Sequence, residues 1–143
     1  MSRILDGIRV IDFTQGHTGS YGTMLLADFG AEIIKIEDHK TGGDVMRSSF
    51  PKNEKGSAYH AYMNRHSQKG QEIIARLIET ADVVCDSFPA GELERCDLDY
   101  DRMKERNPRI IYASQTGFGK TGPMNNTAGN DLTAEALCGL MQI

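Results

Sequence analysis

Short runs of β-branched residues alternate with segments of helical period along this chain. IRVIDF (8–13) follows the turn signal Asp6-Gly7 and predicts a strand. In 19–30, Ser20 is placed to cap a helix, Met24, Leu25 and Leu26 are apolar, and Gly30 suits a C-terminal stop. EIIKIE (32–37) predicts the next strand. A β-α-β pattern this tight predicts parallel pairing through a right-handed crossover. Residues 38–53 are polar and read as loop, and SAYHAYMNRH (57–66) reads as helix. QEIIARLIETAD (71–82) carries Ile73, Ile74, Leu77 and Ile78 at 3.6-residue spacing, an amphipathic helix. A strand is predicted over 83–88, a helix over 98–108 capped by Asp99 and stopped before Pro108, a strand over 109–114 and a helix over 130–141. Four strands alternating with helices predict an α/β, Rossmann-like fold: a mostly parallel sheet with flanking helices. Ligands in such sheets sit beyond the carboxyl ends of the strands. Here those ends are 14–19, 38–43, 86–88 and 116–122.

Composition narrows the function classes. The chain has 143 residues, enough for one domain, and its 39% hydrophobic and 25% charged residues suit a soluble globular protein. The net charge is −4 with Lys and Arg scattered, which disfavours nucleic acid as a partner. No long apolar run predicts a membrane span or secretory signal. Cys85, Cys96 and Cys138 form no C-x-x-C pair, so free thiols in a reducing cytoplasm are expected and a metal site is not.

RIIYASQTGFGKTGP (109–123) has the look of a phosphate loop. A Walker A loop fails, because Ser114 stands where its first glycine must be. The dinucleotide pattern G-x-G-x-x-G is met over 117–122, but it must open a helix, and residues 124–129 read as loop. A nicotinamide or flavin site is therefore disfavoured.

A longer set of motifs is more specific. LDGIRVIDFT, LLADFGAEIIKIE, GGDVMR, MNR, ADVVCDSF, NPRIIYASQTGFGKTGP and GNDLTAEALCGLM occur in that order along essentially the whole chain. Together they resemble the N-terminal part of the class III CoA-transferases, the family of formyl-CoA transferase and the carnitine and bile-acid CoA-transferases. The resemblance implies transfer of coenzyme A from an acyl-CoA to a free carboxylic acid through an aspartyl covalent intermediate. It implies no tightly bound cofactor and an interlocked homodimer with a large and a small domain, residues 1–143 being part of the large one. His17 and Thr18 match positions that touch CoA and the acyl group. Ser87 and Phe88 match an Asn-Phe pair that lines the CoA channel, with Ser in place of Asn. Arg95 matches a basic residue near the nucleotide phosphates. Gly117, Phe118 and Gly119 match the start of a flexible glycine loop over the active site. Asn130 and Asp131 match an aromatic-acid pair beside the acyl group. The related α-methylacyl-CoA racemases use a His at the place of Asn130, and an amide cannot transfer protons that way, so transfer is favoured over racemisation.

Three departures carry expectations of their own. The family's nucleophilic aspartate falls in a motif beyond Ile143, so the isolated chain is expected to be inactive and to need a complementing C-terminal part. A strand and a CoA-contacting stretch are missing after Ser67. Asp38 stands where some members have a phosphate-binding Arg, and a carboxylate there repels phosphate. The last strand and helix are expected to expose an apolar face, and the chain is expected to associate.

Overall fold

The structure, a computed structural model, describes residues 2–37, 42–53, 56–57, 74–96, 98–127 and 129–142. Its centre is a four-stranded sheet of β1 (Arg9–Asp12), β2 (Glu32–Lys35), β5 (Val83–Asp86) and β6 (Ile111–Ser114), in the order β2-β1-β5-β6. All three pairings are parallel. The remaining strands, β3 (Lys52–Asn53) and β4 (Gly56–Ser57), form a small antiparallel hairpin.

Alternation along the strands sends successive side chains to opposite faces, and each face finds its helix. Val10, Ile33 and Cys85 pack with Ala27 and Ala31 at the end of α1 (Gly16–Asp28). Ile11 and Val84 pack on the other face with Ile78 of α2 (Ile74–Thr80) and Met103 of α3 (Tyr100–Arg106). Helices thus cover both faces, and the central strands read as near-continuous apolar runs because neither face meets water.

Most predicted boundaries shorten by one or two residues, and three readings change. The stretch read as loop over 38–53 holds a 3-10 turn at Val45–Ser48 and the strand β3. Ser20 does not cap α1. The helix begins at Gly16 behind Gln15, and Ser20 lies a full turn inside it, buried. Ser57, read as helical, lies in β4. The rest of that expected helix, and residues 71–73 of the next, lie outside the described residues. Asp99 does cap α3, accepting a bond from the Arg102 amide at 3.1 Å. Beyond α3, the buried Asn107 donates its amide to the Ile78 and Ala81 carbonyls at 3.0 and 2.7 Å. It thereby supplies a donor to the Ala81 carbonyl just past α2 and a second one to the Ile78 carbonyl, which also accepts from the Ala81 amide at 3.3 Å.

β6 is an edge strand, and Ile111 on it is 61% exposed. The helix after it, α4 (Asp131–Cys138), has no buried residue, and Leu132, Leu137, Leu140 and Met141 face outward. The apolar exposure expected of the last strand and helix is present.

Candidate functional site

The chain leaves β1 toward β2 on one side and leaves β5 toward β6 on the other. The crevice between the carboxyl ends of β1 and β5 is therefore the topological switch point. Both strands end in the same device. Asp12 accepts bonds from the Thr14 amide and hydroxyl, at 2.8 and 2.6 Å. Asp86 accepts one from the Phe88 amide at 3.0 Å. Each aspartate turns the backbone sharply out of its strand. The two turns then meet, because the Gln15 amide donates to Ser87 Oγ at 2.8 Å. His17 and Thr18 are exposed beside this contact, in the first turn of α1 rather than in a loop. Ser87 and Phe88 are half-buried, and Phe88 also packs on the core.

A fully buried lysine holds the floor of α1. Strand alternation puts Lys35 on the same buried face as Ile33. Its ammonium donates to the Thr14 carbonyl at 2.7 Å and to Ser20 Oγ at 3.2 Å, and lies 3.2 Å from Asp44 and 3.5 Å from Asp12. Thr23 donates a further bond to Asp12 at 2.8 Å. The Gly16 amide donates to Asp44 at 3.2 Å. An internal carboxylate thus occupies the first amide of α1, where a dinucleotide fold would place its pyrophosphate. The loop carrying Asp44 is fixed in turn by the Glu37–Arg47 ion pair.

The glycine loop is tied down at two points. At its base, Gly117 and Gly129 touch backbone to backbone, so close that a Cβ on either would lie 2.4 Å from the other's Cα. This contact carries Asn130 and Asp131 to the base of the loop. Over the sheet edge, Lys120 donates to the Tyr112 hydroxyl at 2.9 Å and lies 3.6 Å from Asp86 Oδ2. Burial first, and the Asp86 carboxylate second, push the Tyr112 phenol above its ordinary value. Among the described residues, two buried side-chain oxygens lack a hydrogen-bond partner, Asp86 Oδ2 and Thr116 Oγ1, and both lie at this edge.

The remaining expected residues make contacts of their own. The Arg95 side chain is 75% exposed and paired with Glu92 at 3.2 Å, three residues back on the same turn. Asn130 accepts the Thr133 amide at 2.9 Å and so caps α4, while Asp131 sits exposed in the first turn. Asp38 and the stretch after Ser67 lie outside the described residues. Sequence reasoning missed Lys35, Asp44, Asp86, Tyr112 and Lys120. A lysine on the apolar face of a strand was the available signal for the first two, since it demands buried anions. Among the described residues no cluster of three or more His, Cys, Asp and Glu side chains has the arrangement to hold a metal ion, and no helix is long and apolar enough to cross a membrane.

Cys85 sits between the two strand-end aspartates. Burial, then the Asp12 and Asp86 charges, push its thiol up to about 12 from an ordinary 9.0. Its folded value is raised, so its stabilising contribution is complete below about pH 9 and is lost as pH climbs toward 12. In a Cys96→Ser chain at pH 8, a thiol reagent is expected to label the exposed Cys138 at once and Cys85 only after denaturant is added. Fast labelling of both would show that the strand edge opens readily.

The sequence profile of CoA-transferase family III matches residues 5–143. The chain is 40% identical to a succinyl-CoA:mesaconate CoA-transferase of Haloarcula marismortui, over 97% of this chain and 39% of that protein. It is 36% identical to the succinyl-CoA:glutarate CoA-transferase of Homo sapiens, over 97% of this chain and 34% of that protein. A crystal structure of a CAIB/BAIF family protein from Brucella suis superposes with a TM-score of 0.90 at 32% identity, covering all of this chain and 41% of that one. The chain thus spans less than half the length of these relatives. The first two alignments run over 157 and 148 residues, more than the 143 of this chain, so both relatives hold residues with no counterpart here. With the profile matched from residue 5 to the last residue and the fold shared throughout, the chain belongs to CoA-transferase family III.

Proposed function

We propose that residues 1–143 form the first part of the large domain of an enzyme that moves coenzyme A from an acyl-CoA to a carboxylic acid. The observation that supports this most directly is the Gln15–Ser87 contact, which joins the two strand-end turns at the switch point with His17, Thr18 and Phe88 around it. In this reading His17, Thr18, Ser87 and Phe88 line the path of the coenzyme's thiol arm. The amides of Gly117, Phe118 and Gly119 face the thioester, where N–H donors stabilise the charge that develops on its carbonyl oxygen. Arg95 swings from Glu92 to the nucleotide phosphates, a move open to an exposed guanidinium. Asn130 and Asp131 close the acyl end. Asp131 is not the nucleophile; that aspartate is supplied from outside these residues, by a C-terminal part or a complementing chain, and the exposed face of β6 and α4 is where it docks or where a second copy associates.

Titration calorimetry of the 143-residue chain with coenzyme A and with a short acyl-CoA tests the reading. A Kd of about 1–100 μM is expected, with no heat from NAD, and Ser87→Ala is expected to weaken binding about tenfold, the scale of one lost contact to an ordered ligand. An exchange assay between acyl-CoA and carboxylate is expected to show no turnover by this chain alone. Binding of NAD without coenzyme A would replace this reading by a dinucleotide site, and turnover would overturn the missing nucleophile.

A further inference from the structure

We infer that Lys120 is a positioning residue: it latches the glycine loop to the strand edge through Asp86 and Tyr112, and so sets the loop's amides relative to the Ser87–Phe88 turn. The role rests on the coenzyme A reading above for its purpose, but not for its geometry. Lys120 is the fourth residue of the loop that starts at Gly117. Gly119 just before it takes φ 81°, a conformation that glycine adopts without strain. From there the side chain reaches back eight residues to the Tyr112 hydroxyl, and its ammonium also lies over the Tyr112 ring, 4.9 Å from the centroid. Tyr112 is braced in turn by the Tyr100 ring at 6.0 Å.

Asp86 makes the arrangement more than a surface pair. Its side chain is fully buried, and its two oxygens serve different elements. Oδ1 accepts from the Phe88 amide. Oδ2 has no hydrogen bond and faces the Lys120 ammonium at 3.6 Å. A buried carboxylate needs a nearby cation, and Lys120 supplies it from the loop itself. The Asp86 carbonyl also accepts from the Gln115 amide at 2.9 Å, just before the loop begins. A continuous run of contacts therefore links the loop to α1: Lys120 to Asp86, Asp86 to the Ser87–Phe88 turn, and Ser87 to Gln15. Moving Lys120 shifts one wall of the crevice against the other.

The test is amide hydrogen exchange of residues 115–122 in the whole chain, read beside a coenzyme A titration, for Lys120→Met, Lys120→Arg and Tyr112→Phe. Lys120→Met is expected to speed loop exchange about tenfold or more and to weaken coenzyme A binding by a similar factor, the scale of one lost charge-assisted bond. Lys120→Arg is expected to restore both, because a guanidinium reaches the same two acceptors. A role limited to general stability would show no such rescue in the loop once melting temperatures are matched. If Lys120→Met does not fold, Tyr112→Phe, which removes only the hydroxyl acceptor, decides by the same exchange reading. Unchanged loop exchange in Lys120→Met, or in Tyr112→Phe where that variant decides, overturns the latch. Parent protein that binds no coenzyme A overturns the proposed function instead, and leaves the exchange result to decide the latch separately.

Discussion

Replacing Lys35 by methionine is expected to lower the melting temperature by about 10–20 °C at pH 7, the largest effect expected of any single change in this chain. The lysine side chain is 1% exposed, and so are its partners Asp12 and Asp44, at 1% and 0%. Methionine fills nearly the same volume, so the loss is electrostatic. It leaves two carboxylates out of water without their cation. Breaking a buried ion cluster by removing one member costs about 3–5 kcal/mol, against the roughly 5–15 kcal/mol by which a domain of this kind is stable. The effect is not confined to stability. Asp44 accepts the first amide of α1, so freeing it loosens the turn that carries His17 and Thr18. Adding Asp44→Asn to Lys35→Met is expected to recover part of the loss rather than deepen it, because the amide keeps the oxygen that Gly16 and Met46 donate to and removes one of the stranded charges. Thermal unfolding followed by circular dichroism reads both variants. A Lys35→Met protein melting within a couple of degrees of the parent would mean that the cluster is wetter than its geometry implies.

Gly117→Ala and Gly129→Ala are the second pair with a large expected effect, about 1–3 kcal/mol each, concentrated in one part of the molecule. Neither position needs a positive φ. Their constraint is the 2.4 Å between an added Cβ and the opposite Cα, backbone against backbone, where no flexible side chain can yield. Gly119 is the contrasting case: its φ is positive and nothing stands within 4 Å, so alanine there costs only conformational strain, about 1 kcal/mol. The Gly117–Gly129 contact also joins the loop to the start of α4, a helix with no buried residue to anchor it. Either alanine is therefore expected to raise amide exchange across both 117–122 and 131–138 while leaving β1 and β5 protected. The double variant is expected to cost little more than one alone, since a contact once parted cannot be parted twice. Full additivity in unfolding experiments would mean that the two glycines act independently. The same variants bear on function: a loop lifted from the strand edge should lose coenzyme A affinity even though the Gln15–Ser87 contact is untouched.

Sheet and helices were legible because their signals are local. IRVIDF, EIIKIE, VVCDSF and RIIYAS each carry enough β-branched and apolar residues to announce a strand without strict alternation, and Asp99 announces the start of α3 by the shape of its own side chain. The motif order was sufficient to identify the family, and the strand ends read from the pattern put His17, Thr18, Ser87 and Phe88 at the sheet edge where the structure has them. The cap on α1 was misread because Ser20 satisfies a local rule but is claimed by a distant partner. Its hydroxyl serves Lys35 and Asp44, residues 15 and 24 positions away. Asn130 shows the reverse, a residue singled out for chemistry that spends its oxygen on the Thr133 amide.

The amino-acid sequence by itself determined the alternation of strands and helices, their parallel sense and the membership of the chain in its family, because periodicity, caps and ordered motifs act over a few residues at a time. Only the tertiary structure decided which polar groups meet: Lys35 between Asp12 and Asp44, Lys120 over Asp86 and Tyr112, and Gly117 against Gly129. Those pairings join residues 8 to 34 positions apart, and strand register and burial, rather than any local pattern, bring them within a few ångströms and make their charges matter.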